Sequence, residues 1–202
     1  MQRFAQSKIH LPENLIQWEK SAIGFNITQV RLLTYASLFF AFSINGVAIY
    51  LLGFSYIDDL LELLRNTPFL IIVIAPISFN VLYLITHEVI HCISHPDKGL
   101  SKKTLVGFIS GFPFVIYNGS ITRKRFLAVL ASPFIVLLIG YVIFFAIIRL
   151  LKISIPEIIL LNILLVHLCA CVGDAFLFLK VYKLQDVSEL WNSYSSLWIK
   201  KL

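Results

Sequence analysis

Apolar positions in this 202-residue chain gather into four long runs, at about 32–52, 69–94, 126–151 and 155–181. Each is long enough to cross a bilayer as a helix, for which about 20 residues suffice. The period changes between the second and third runs. There 104–110 and 111–117 read as two short β-rich stretches, divided by Gly111 and Pro113 and followed by a turn at Asn118-Gly119. Residues 1–31 are more polar, with an amphipathic piece around 14–20 that can lie on a membrane surface. The loop at 53–68 carries Asp58, Asp59 and Glu62 and reads as a short outer helix with solvated charges. The expected fold class is an all-α integral membrane protein, with about four transmembrane helices and a short β-hairpin between the second and third. The expected domains are a cytoplasmic N-terminal arm (1–31), a four-helix transmembrane domain (32–181) and a cytoplasmic C-terminal tail (182–202).

Composition supports lipid as the solvent. Hydrophobic residues make up 58% of the chain and charged residues 14%, against about a quarter charged in soluble domains. One core of this size cannot hide such an excess. The N-terminal Met1-Gln2-Arg3-Phe4-Ala5-Gln6 is unlike a cleavable signal peptide, so the first run is expected to stay as an anchor. A net charge of +6 would suit nucleic acid, but its distribution does not. With the N-terminus inside and four alternating helices, fourteen of the seventeen Lys and Arg fall on inner segments, leaving only Arg65, Arg149 and Lys152 outside. That bias places both termini in the cytoplasm and points to anionic lipid, with no nucleic acid partner. Cys92, Cys169 and Cys171 read as small buried hydrophobes without a disulfide framework, a Cys169/Cys171 metal pair being the alternative.

The second run ends in His87-Glu88-Val89-Ile90-His91. Histidines four apart share one face of a helix, where both imidazoles can reach a single metal ion. The glutamate between them can act as general base on a metal-bound water. Ionisable groups within an apolar helix mark function by default. A catalytic zinc takes three protein ligands. His95 continues the stripe but lies about 12 Å along the axis from His87, and Pro96 ends the helix there, so His95 is expected to face the interface. Asp174 is preferred on depth: counted from the outer ends of the second and fourth runs, His87 and Asp174 both lie about 27–29 Å in. Gly173 beside it would permit close helix approach. His167 lies about 10 Å shallower, lining a polar path or hydrogen-bonded in the core.

Three stretches together, His87 to His91, Ala131-Ser132-Pro133-Phe134 and His167-Leu-Cys-Ala-Cys-Val-Gly173-Asp174, resemble the bacterial putative zincin peptidases of the membrane. These are similar to the site-2 protease group of intramembrane metalloproteases. The likeness covers roughly 69–191. It implies a zinc site with His87 and His91 as ligands, Glu88 as catalytic acid/base and a helix-borne aspartate, here Asp174, as third ligand. The better-known site-2 proteases carry an Asn-Pro-Asp-Gly type motif at that aspartate, where this chain has Cys171-Val172-Gly173-Asp174-Ala175.

The expected activity is that of a multi-pass zinc metallopeptidase of the bacterial plasma membrane, cutting membrane-associated protein substrates near the cytoplasmic face. Zn2+ held by His87, His91 and Asp174 acidifies its water, and Glu88 takes the proton and passes it to the leaving amine. Water is expected to enter near 98–103. The hairpin at 104–117 offers an edge strand to an unfolded peptide. Asn118 or the Arg123-Lys124-Arg125 cluster is a candidate for the oxyanion. Two other readings stay open: a zinc-dependent membrane hydrolase with a non-protein substrate, and a non-catalytic membrane protein with a relic metal site.

Overall fold

The structure, a computed structural model, describes residues 17–20, 65–109, 112–153, 157–193 and 196–201, with Phe39, Ser43, Val47, Tyr50, Asp58, Leu61 and Glu62. Its elements are β1 (Glu19–Lys20), α1 (Phe69–Ser94), β2 (Thr104–Ile109), β3 (Phe112–Tyr117), β4 (Ser120–Thr122), α2 (Arg123–Leu150), α3 (Glu157–Ala170), α4 (Val172–Tyr182), β5 (Val187–Ser193) and β6 (Ser196–Lys201). The strands form two antiparallel sheets, one ordered β1-β6-β5-β4 and one pairing β2 with β3.

This corrects the all-α, four-span expectation: the chain is a mixed α/β fold with four described helices and six described strands. Among the described residues one helix, α2, is long and apolar enough to cross a membrane, or up to two if α3 and α4 count as one broken span. An apolar run reports that something buries it without saying what. The run at 155–181 is interrupted at Cys171, and the end of the run at 69–94 buries His87 and His91. The run at 32–52 falls outside the described residues except for Phe39, Ser43, Val47 and Tyr50.

The chain divides into two compact units, the first holding Met1–Val30, Ile85–Pro133 and Gly173–Leu202. Its larger sheet obeys the two-residue alternation of a strand. Leu190, Leu197 and Ile199 are buried on one face, while Trp191 and Trp198 pair directly across β5 and β6 on the other. Leu190 sits opposite Ile121 of β4. Phe126 and Val129 of α2 and Val181 of α4 complete this core, each such burial being worth about 1.5–3 kcal/mol. At the outer edge Glu19 of β1 faces Ile199, and Trp18 meets Trp191 edge-on with ring centres 6.0 Å apart. Residues 19–20 are therefore sheet, not part of a surface helix.

A tight loop joins α1 to the hairpin. Lys98 and Gly99 both take positive φ, 53° and 75°. The Asp97 carboxylate gathers the Gly99 amide and the hydroxyls of Ser101 and Thr104. Burial pushes that carboxyl up, but these hydrogen bonds outweigh it and hold the pKa below its ordinary value. The hairpin then runs with Thr104 opposite Tyr117 and Ile109 opposite Phe112.

The second unit comprises Arg31–Leu84 and Phe134–Val172. Within it His167 is buried, with Nδ1 2.6 Å from the Tyr83 hydroxyl and the Phe134 ring stacked upon it. It is a hydrogen-bonded core histidine. On α2, Ile135, Val136, Ile139, Val142 and Ile143 are all at least 50% exposed. Contiguous apolar exposure on that scale is costly in water and neutral in hydrocarbon.

Candidate metal centre

α1 supplies His87 and His91 one turn apart on its buried face, and α4 supplies Asp174 from its first turn. Asp174 Oδ2 lies 3.0 Å from Nε2 of His87 and 3.0 Å from Nε2 of His91. One ligand atom from each of the three falls within 4.8 Å of the others. The two imidazoles meet edge-on at 4.9 Å. Ligands at about 2.0–2.2 Å from a tetrahedral ion are separated by somewhat more than 3 Å, so this trio can close around one cation.

The protonation of His91 makes the case for a cation sharper. Its Nδ1 lies 3.1 Å from the carbonyl oxygen of Val129, which can only accept, so Nδ1 must carry the hydrogen. Its Nε2 then faces a carboxylate oxygen, also an acceptor. A neutral ring would set lone pair against lone pair there. A proton, held by either partner, or a metal ion must sit between them. Fixing Nδ1–H on a carbonyl is the usual way a protein aims Nε2 at a metal.

Glu88 is half-buried, with the His87, His91 and Asp174 side chains and the Val115 main-chain amide as its electrostatic neighbours. The register explains why that amide is available. Asn118 N–H donates to the Lys103 carbonyl at 2.7 Å, which makes Thr104 and Tyr117 a non-hydrogen-bonded pair. Two residues along, Val106 and Val115 are then another such pair. The main-chain groups of Val115 and Tyr117 consequently point away from β2, toward the outer edge of β3, and that edge passes Glu88.

Other candidates are placed elsewhere. His95 is 4% exposed, stacked on Tyr117 with ring centres 5.4 Å apart, and not at an interface. Both its ring nitrogens are buried without a hydrogen-bond partner among the described residues. Burial, with His91 and Arg125 nearby, outweighs Asp97 and lowers its pKa to about 4. Among the described residues a Cβ on Gly173 would meet nothing within 4 Å, so no close helix approach there depends on that glycine. Arg123 donates to the Val181 and Tyr182 carbonyls at the end of α4, and Arg125 donates to the His95 carbonyl. Those two guanidiniums are engaged with carbonyls at helix C-terminal ends. Among the described residues, His95, His167 and the cysteines lie outside the group that could hold a metal ion. The two groups missed by sequence reasoning, the Val115 amide and the Val129 carbonyl, belong to the main chain and leave no residue-type signature.

No curated protein and no solved structure matches this chain. A family described as putative zincin peptidase matches residues 79–186, more than half of the sequence, a span that includes His87, His91 and Asp174. The chain belongs to that family.

Proposed function

We propose that this protein is a membrane-anchored zinc metallopeptidase in which His87, His91 and Asp174 hold the metal and Glu88 moves the proton. The convergence of two Nε2 atoms on one Asp174 oxygen, with Glu88 on the same helix turn, is the observation that carries this reading. Two histidines and a carboxylate suit zinc by donor type. When bound, zinc supplies Lewis acidity, polarising a carbonyl and acidifying water.

The chain's own residues account for the rest. Glu88 takes a proton from water and returns it to the departing amide nitrogen. Val115 N–H favours the ionised Glu88 carboxylate, the form that accepts the proton. The outer edge of β3 supports the substrate as an added strand, its main-chain groups pairing with Tyr117 and the remaining carbonyl of Val115. Such pairing needs an extended chain and reads little side-chain sequence. α2 anchors the protein in the bilayer, with Arg123, Lys124 and Arg125 at its cytoplasmic end. The substrate is a membrane-associated protein or peptide.

The test is cleavage of a reconstituted single-span substrate by the wild type beside Glu88→Gln. Loss of cleavage in a variant that keeps its metal supports the reading. A wild type that carries zinc yet cuts no peptide bond, while hydrolysing an ester or lipid, would overturn the peptidase assignment.

A further inference from the structure

The Ala131-Ser132-Pro133-Phe134 stretch has no part in the chemistry above, yet Pro133 lies inside α2 and is among the most completely buried side chains. In an α-helix the amide of one residue donates to the carbonyl four places earlier, so position 133 would serve Val129. Proline has no N–H, and its ring crowds that same carbonyl. The Val129 oxygen therefore lacks its helical donor. It takes two others: the Ser132 hydroxyl at 2.8 Å and His91 Nδ1 at 3.1 Å. A carbonyl has two lone pairs, and both are used.

We propose that Pro133 is a positioning residue for the metal centre: withholding its own amide frees the Val129 carbonyl to hold His91 Nδ1–H, which turns the Nε2 lone pair toward Asp174. The inference rests on the assignment of His87, His91 and Asp174 as metal ligands. Alanine at 133 would restore an N–H aimed at the Val129 oxygen and set it in competition with His91. The helix gains a bond that the metal ligand loses. Metal affinity and the stability of the metal-free fold are then expected to part company, whereas a residue that merely packs the core would lower both.

The experiment measures zinc affinity of the full chain in detergent, by competition with a chromophoric chelator, in three forms. These are the wild type, Pro133→Ala, and Pro133→lactic acid, an ester-linked residue that has alanine's side chain but no N–H. Pro133→Ala is expected to bind zinc about 10–100-fold more weakly, the range seen when a partner that orients a metal ligand is lost. Its zinc-free thermal midpoint should not fall below that of the wild type. The ester form should bind within about threefold of the wild type. Unchanged affinity in Pro133→Ala would overturn the proposal. So would an equal loss in the alanine and ester forms, since ring packing and not the absent donor would then be responsible. A wild type with no zinc affinity would overturn the metal-centre assignment and this proposal with it.

Discussion

The main-chain N–H of Val115 points out from the edge of β3 on the side of Glu88, where it favours the ionised form of that carboxylate. That N–H points away from β2, so removing it spares the β2-β3 ladder, and proline is tolerated at such edge positions. Val115→Pro is expected to keep the metal and the fold while slowing peptide cleavage about tenfold, the effect of one misplaced catalytic group. Parallel measurements of metal content, circular dichroism and turnover check this; full activity would show that Glu88 needs no such support.

Gly99 gives a prediction about stability alone. Its φ of +75° suits glycine, and a Cβ there would come 2.2 Å from Cys92 Sγ. Gly99→Ala should destabilise the fold by about 1–3 kcal/mol through this clash and the left-handed backbone. Adding Cys92→Ala should recover the clash and leave about 1 kcal/mol of backbone strain. Thermal unfolding of the single and double variants separates the two parts.

His95 should leave a signature in the pH dependence of stability. Burial first, then His91 and Arg125, lower its pKa to about 4, whereas the unfolded ring titrates near 6.5. Between those values the unfolded chain binds a proton that the folded chain refuses. Stability is therefore complete above about pH 6.5 and declines as pH falls toward 4. The groups facing this ring are His91, Asp97, Arg125 and Tyr117. His95→Phe keeps a ring against Tyr117 and removes the titration, so the metal-free variant should lose less stability between pH 7 and pH 5 than the wild type does. Equal losses in both would contradict this.

The helix-borne group and the hairpin at 104–117 were legible in the sequence, and the four-stranded sheet was not. Spacing put His87 and His91 on one face, and counting residues singled out Asp174, although the four-span frame used for that count is not the fold. β5 and β6 escaped notice because Ser188, Glu189 and Asn192 make the C-terminal segment look like a solvated tail. Its alternation of Leu190 with Trp191 becomes meaningful only once β4 and β1 are known to flank it. His95 was misplaced because its partner, Tyr117, is fixed by the hairpin register, a relationship that local helical periodicity does not contain. The run at 32–52 illustrates the opposite case, a strong hydropathy signal lying almost wholly outside the described residues.

Arg123 ties the start of α2 to the end of α4 through the Val181 and Tyr182 carbonyls. A cation at a helix C-terminus that also donates hydrogen bonds contributes about 1 kcal/mol when partly exposed. Arg123→Gln should cost that amount in chemical denaturation and leave zinc affinity unchanged, because neither carbonyl belongs to the proposed ligand set of His87, His91 and Asp174.

The most direct measurement is zinc stoichiometry of the purified full chain by elemental analysis, wild type beside His87→Ala, His91→Ala, Asp174→Ala and Glu88→Gln. The account predicts about one zinc per chain in the wild type and in Glu88→Gln, and at most about a tenth of that in each of the other three. Zinc retained at full stoichiometry by Asp174→Ala, or absent from the wild type, would contradict it.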